Sequence, residues 1–228
     1  PFSDPLADGP VIQRSSQRAL EAGMTLARTL TLVRDAAPTI PVVLFSYLNP
    51  LLAAGPALLD RAAAAGCSGI LVTDLPVGAD PEREAWLGGG SLEFVRLVAP
   101  TTPTERMAEI SRHGSGFVYL ISRLGVTGPQ EGVPADLPRS LAALRKVTRL
   151  PICVGFGISR PEQAREIGAM ADGVVVGSAL VQAAERSVDE ATFLYVAHDV
   201  GPRAMSPKIK GFVQPKGWFV DFSTMTIN

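Results

Sequence analysis

PICVGFGISRPEQAREIGAMADGVVVGSALVQ, residues 151–182, holds the same pattern twice: a short apolar run closing on glycine, then a segment with helical spacing. ICVGFG and GVVVGS are too short and too rich in β-branched residues for helix, and RPEQAREIGAM carries its apolar residues three and four apart. The stretch therefore reads as strand, helix, strand, helix. A glycine at a strand's C-terminal end lets a ligand approach backbone N–H groups, and a helix starting at Ser178 would aim its positive end at the same place. Singly, each of these glycines is also a turn residue, and Ser178 an N-cap. Gly125 and Gly128 of SRLGVTG, Gly155 and Gly157 of VGFG, and Gly177 of VVVGS together favour a phosphate cradle.

Outward from that stretch the pattern continues. PVVLFSY (41–47), GILVTD (69–74), EFVRLVA (93–99) and GFVYLIS (116–122) precede PICVGFG (151–157) and DGVVVGS (172–178), giving six predicted strands. ALLDRAAAAG, PTERMAEISRHG, LPRSLAALRKV and RPEQAREIGAM lie between them with helical periodicity. Alternation of this kind predicts a parallel sheet with crossover helices, and runs such as GILV fit burial on both faces. No GxGxxG follows the first strand and no Walker-type loop occurs, which removes two common open-sheet nucleotide binders. Phosphate held after the last two strands is the habit of (β/α)8 barrels.

Composition narrows the function. The 228 residues suffice for one large domain. Lys plus Arg total 21 against 22 Asp plus Glu, so no basic field exists for nucleic acid. Cys67 and Cys153 read as two buried thiols, and with two histidines in the chain a metal centre is not expected. No apolar run approaches a membrane span and no signal peptide is recognisable, which predicts a cytoplasmic protein.

At the N-terminus stands PFSDPLADGPVIQ, residues 1–13, which begins without methionine and is expected to continue upstream. That stretch, with FSYLNP, LVTDLP, LVAPTTP, YLISRLGVTG, VGFGIS and DGVVVGSALV in the same order, resembles the tryptophan synthase α-subunit family from Pro1 to about Leu194. The resemblance implies a (β/α)8 TIM barrel, here incomplete, with strands three to eight and their helices present. It also implies the family's reaction, the retro-aldol cleavage of indole-3-glycerol phosphate to indole and glyceraldehyde 3-phosphate.

Carried over residue by residue, the resemblance makes Asp8 the carboxylate that accepts the indole N–H. Without it, Asp8 is better read as a cap on a helix starting near Pro10. Thr127, in a loop from Arg123 to Pro134 expected to close over Asp8, and the phosphate ligands Gly128, Gly157, Gly177 and Ser178 follow in the same way. So do the indole-pocket residues Ile12, Phe45, Leu71 and Tyr119, each of which could be ordinary core. Asp4, Pro5, Asn49 and Pro76 would dock a β-subunit in an α2β2 assembly; pyridoxal phosphate belongs to that partner, and no cofactor or metal is expected in this chain. Asp74 reads as a turn or supporting residue. The family's second catalytic acid, a glutamate a few positions before the one matching Pro1, is not in the 228 residues, and the chain by itself is expected to be inactive. Two alternatives stay open: an α-type chain that only binds and activates its partner, or another phosphosugar-binding barrel.

Residues 1–200 are read as the partial barrel and 201–228 as a tail unlike the family, poorly ordered. Three of the four lysines fall in that tail. KIKGFV and WFVDF could pair as a hairpin around QPKG, but a two-stranded hairpin alone is marginal. The Gly88-Gly89-Gly90 run should shorten the helix before it.

Overall fold

The computed structural model describes residues 8–122, 132, 134–155, 157–189, 209–210 and 226–227. The chain divides into two compact units, 1–183 and 184–228. In the first, α1 (Pro10–Glu21) and α2 (Leu26–Ala36) precede β1 (Val42–Ser46), α3 (Leu48–Ala54), α4 (Leu58–Ala64), β2 (Cys67–Val72) and α5 (Pro81–Gly88). β3 (Glu93–Val98), α6 (Thr104–Arg112), β4 (Val118–Ile121), α7 (Leu137–Arg145), β5 (Ile152–Gly155), α8 (Pro161–Gly168) and β6 (Gly173–Val175) follow, and α9 (Ser178–Asp189) starts at the serine expected to open it. The strands form one parallel sheet in the order β1-β2-β3-β4-β5-β6. Sequence order and sheet order coincide, as in an arc of a (β/α)8 barrel, and among the described residues β6 does not pair back onto β1.

Burial follows position in the arc. Five of the six residues of β2 are buried, as a strand covered on both faces requires, whereas β1 buries only Leu44 and leaves Phe45 55% exposed. β6, at the other edge, has three partly buried residues. The apolar core lies between sheet and helices in two clusters. One joins Leu51, Leu58, Ile70 and Leu87 around β1 to β3, and the other joins Val118, Leu120, Leu144, Ile152 and Val154 around β4 and β5. Each such side chain contributes about 1.5–3 kcal/mol by leaving water. Cys67 is buried, but Cys153 is only partly so, because β5 borders the thinly covered edge strand; neither is bridged.

Between the two clusters Arg96 of β3 turns outward. Its Nη2 meets Glu84 Oε2 of α5 at 2.6 Å, with both side chains under 10% exposed, and its Nε and Nη1 donate to the carbonyls of His113 and Leu75. Glu84 uses its other oxygen to accept the Gly78 N–H. A full set of partners is what makes a buried charge tolerable. α5 ends at Gly88, at the head of the glycine run that shortens it.

In the second unit β7 (Ile209–Lys210) pairs antiparallel with β8 (Thr226–Ile227). The KIKGFV segment supplies one strand, whose described partner is Thr226–Ile227. WFVDF, the partner expected for it, falls within residues 211–225, which lie outside the described set. Among the described residues no helix is long and apolar enough to cross a membrane.

Candidate functional site

Strand alternation sends Val43 and Phe45 of β1, Leu71 of β2, Tyr119 of β4 and Val175 of β6 to the face opposite the helices. They line a cavity of about 380 Å³, within the range of small-molecule sites. Asp8 and Ile12 close one side. The turns after β5 and β6 close another with Gly157, Ile158, Ser159, Gly177, Ser178 and Ala179. A smaller cavity of about 150 Å³ continues past Asp8 between Ile12, Phe45 and Tyr47. The structure thus places Asp8, Ile12, Phe45, Leu71, Tyr119, Gly157, Gly177 and Ser178 around one space, although 170 positions separate the first from the last.

Asp8 does not cap α1. The N-cap is Gly9, with no side-chain bond to the helix, and Pro10 at the first helical position has no N–H to offer. The Asp8 carboxylate instead accepts a hydrogen bond from the Tyr47 hydroxyl at 3.0 Å. Burial raises its pKa from the usual carboxylate value, and the Tyr47 bond works against that rise. Tyr47 is 8% exposed and was not singled out in the sequence; the FSY segment gives its type but no sign that it faces residue 8.

Tyr119 is the other titratable group in the main cavity. Burial pushes its phenol up to about 12, so at neutral pH it is a hydrogen-bond donor and not a base. Its ring lies over Gly155, where an added Cβ would come within 2.6 Å of the hydroxyl oxygen. Gly155 is therefore glycine to make room for Tyr119 inside the sheet.

At the opposite wall Gly157 has φ +82°, the left-handed region that favours glycine. α9 begins its backbone ladder with Leu180 and Val181 donating to the Gly177 carbonyl, which leaves the N–H groups of Ser178 and Ala179 outside it. Among the described residues these two N–H groups have no partner, and a helix start beside a glycine turn is an arrangement that suits an anion. Among the described residues no cluster of His, Cys, Asp or Glu could hold a metal ion.

Asp74, after β2, uses its carboxylate to accept the Leu48 N–H at 2.7 Å, capping α3 from another loop. Asn49, in the first turn of α3, and Pro76, in the loop after β2, are exposed. Asp4, Pro5, Thr127 and Gly128 lie outside the described residues.

The sequence profile of the family described as Tryptophan synthase alpha chain matches residues 1–206. A tryptophan synthase alpha chain of Desulfatibacillum aliphaticivorans is 47% identical over 192 residues, 83% of this chain and 72% of that one. One of Laribacter hongkongensis is 51% identical over 189 residues, 81% and 72% of the two chains. Among solved structures, tryptophan synthase of Mycobacterium tuberculosis superposes with a TM-score of 0.75 at 36% identity, covering 82% of this chain and 72% of that one. A tryptophan synthase alpha-subunit of Pyrococcus furiosus gives 0.74 at 39%, covering 84% and 79%. Profile, identity and superposition agree with the open parallel arc and its cavity: the chain belongs to the tryptophan synthase alpha chain family.

Proposed function

We propose that the cavity between Asp8 and the start of α9 is where this chain serves the family's lyase reaction, with the indole ring against Phe45, Leu71 and Tyr119 and the phosphate on Gly157, Gly177 and Ser178. The observation that carries the reading is one carboxylate at one wall of an apolar cavity and unengaged helix N–H groups at another. In retro-aldol cleavage the indole C3 is protonated and the ring becomes an iminium. The C–C bond then breaks, returning its electron pair to the ring, as the adjacent hydroxyl loses its proton and becomes the aldehyde. Asp8 stabilises the positive N–H that forms midway, an interaction stronger in the transition state than in bound substrate. The apolar walls keep water from weakening it.

The cleavage also needs an acid for C3. Among the described residues lining the two cavities Asp8 is the sole carboxylate, and one group cannot both donate to C3 and hold the ring nitrogen. The 228 residues alone are accordingly proposed to hold substrate without turning it over. Asn49 and Pro76, with Asp4 and Pro5, are proposed to face a β-subunit in an α2β2 assembly in the cytoplasm. Pyridoxal phosphate would reside in that partner, and this chain would use no cofactor.

The test is indole release from indole-3-glycerol phosphate by this chain, by this chain with a tryptophan synthase β-subunit, and by a version extended upstream with the family's segment. Cleavage by the extended version alone, lowered about 10² to 10⁴-fold by Asp8→Asn, is the expected result. Equal rates in all three would place the acid among the residues present here.

A further inference from the structure

We propose that Asp74 is a positioning residue for the site: by holding the Leu48 N–H it fixes the backbone of Tyr47 and so keeps the Tyr47 hydroxyl on Asp8. The inference rests on the reading of Asp8 given above.

Three contacts carry it. Thr73 N–H donates to the Ser46 carbonyl at 3.1 Å, and Leu48 N–H donates to Asp74 Oδ1 at 2.7 Å. The two bonds run between the same pair of loops and flank Tyr47 on either side, so its backbone (φ −91°, ψ 163°) is held at both ends. From that backbone the buried side chain reaches Asp8, 39 positions upstream, at 3.0 Å. α3 has seven residues and no cap from its own N-cap side chain, so Asp74 supplies the cap that α3 lacks. Without it the first turn of α3 loses a bonded donor, and a hydroxyl several bonds from the backbone swings by more than the few tenths of an ångström a hydrogen bond tolerates.

Asp74 never meets the cavity, and its own charge would act on Asp8 in the opposite sense. A negative charge nearby raises a carboxyl pKa, so removing it lowers that pKa; losing the Tyr47 bond raises it. Sign separates the two routes. Besides Asp8, the titratable groups lining the two cavities, among the described residues, are Tyr47 and Tyr119, and burial pushes the Tyr119 phenol up, so it keeps its proton while a carboxylate titrates.

The experiment is a pH titration of carboxyl-labelled aspartate by NMR on the ligand-free chain, the Asp8 signal being assigned by its loss in Asp8→Asn. Tyr47→Phe should move the Asp8 midpoint upward, and Asp74→Ala should move it the same way. Asp74→Asn, whose amide oxygen still accepts the Leu48 N–H, should not. Leu48→Pro deletes the donor while keeping the Asp74 charge, at a first helical position that suits proline and after a residue already extended; it too should move the midpoint upward. This variant decides the matter if Asp74→Ala does not fold. A downward or unchanged midpoint in Leu48→Pro, or equal shifts in Asp74→Ala and Asp74→Asn, overturns the proposal. Because no substrate is present, failure here is distinct from failure of the lyase reading, which the indole assay decides.

Discussion

The Tyr47 hydroxyl and the Asp8 carboxylate meet at 3.0 Å beside Ile12, Leu44 and Phe45, so the carboxylate is both desolvated and held. Those two effects oppose each other, and desolvation is the larger.

The sign of that balance gives the first prediction. A carboxyl group whose folded pKa is raised destabilises the fold above that pKa, and the penalty disappears below the unfolded value of 3.8. Asp8→Asn should therefore be more stable than the parent at pH 7, since the amide oxygen still accepts from Tyr47, while activity in an upstream-extended chain falls. Urea denaturation at pH 7 and pH 4 checks it: the gap should narrow at the lower pH. A variant less stable than the parent at pH 7 would mean that Asp8 supports the fold.

Gly155 and Gly177, near the ends of neighbouring strands, should behave oppositely. A Cβ at Gly155 would meet Tyr119 and Val175 within 2.8 Å, so Gly155→Ala should cost about 1–3 kcal/mol and displace the Tyr119 ring. At Gly177 an added Cβ meets nothing within 4 Å, and Gly177→Ala should leave stability within about 0.5 kcal/mol while crowding an incoming phosphate. Melting curves check both: without ligand only Gly155→Ala should melt lower than the parent, and with glycerol phosphate Gly177→Ala should lose the ligand-induced rise despite its unchanged stability.

For the Arg96 and Glu84 pair, removing one partner leaves the other charged and buried. Glu84→Gln should cost about 3–5 kcal/mol, and Glu84→Leu combined with Arg96→Met should recover most of that loss. Denaturant midpoints of the single and double variants report the coupling. Additive losses would show that Arg96 finds enough partners in the His113 and Leu75 carbonyls alone.

Asp172 carries the opposite pH dependence to Asp8. The Ile152 N–H and then Arg145 hold its carboxyl below the usual value, which stabilises the fold above the unfolded pKa of 3.8 and is lost as pH falls through the folded pKa. Both side chains are exposed, so Asp172→Asn should cost at most about 1 kcal/mol at neutral pH in low salt, and nothing at pH 2. A loss that persists in acid would assign the effect to the backbone contact alone.

The strands were legible because parallel strands must be apolar on both faces: GILV and ICVG cannot sit elsewhere, and each lies in the sheet within two or three residues of its expected bounds. α2 and α3 were not. α3 is seven residues long with Pro50 inside its first turn, and its cap comes from Asp74, 26 positions away, so no local signal marks it. The glycines of the cradle were visible as strand-end residues, and the catalytic reading of Asp8 came from resemblance. Its partner Tyr47 was invisible, because a hydrogen bond across 39 positions has no sequence period. The pairing of Ile209–Lys210 with Thr226–Ile227 was invisible for the same reason, as a two-residue ladder carries no pattern of its own.

Among the described residues each strand of the parallel sheet pairs only with its neighbours along the chain, and no register pair there spans more than the 34 positions between Val118 and Ile152. Closing a loop of that length costs little more entropy than closing one half as long, because the cost grows only with the logarithm of length. The arc can thus assemble as a zipper, one crossover at a time, without first bringing distant ends of the polypeptide together. Low contact order of this kind favours rapid folding, and it lets each added crossover be tolerated or lost without re-threading its neighbours.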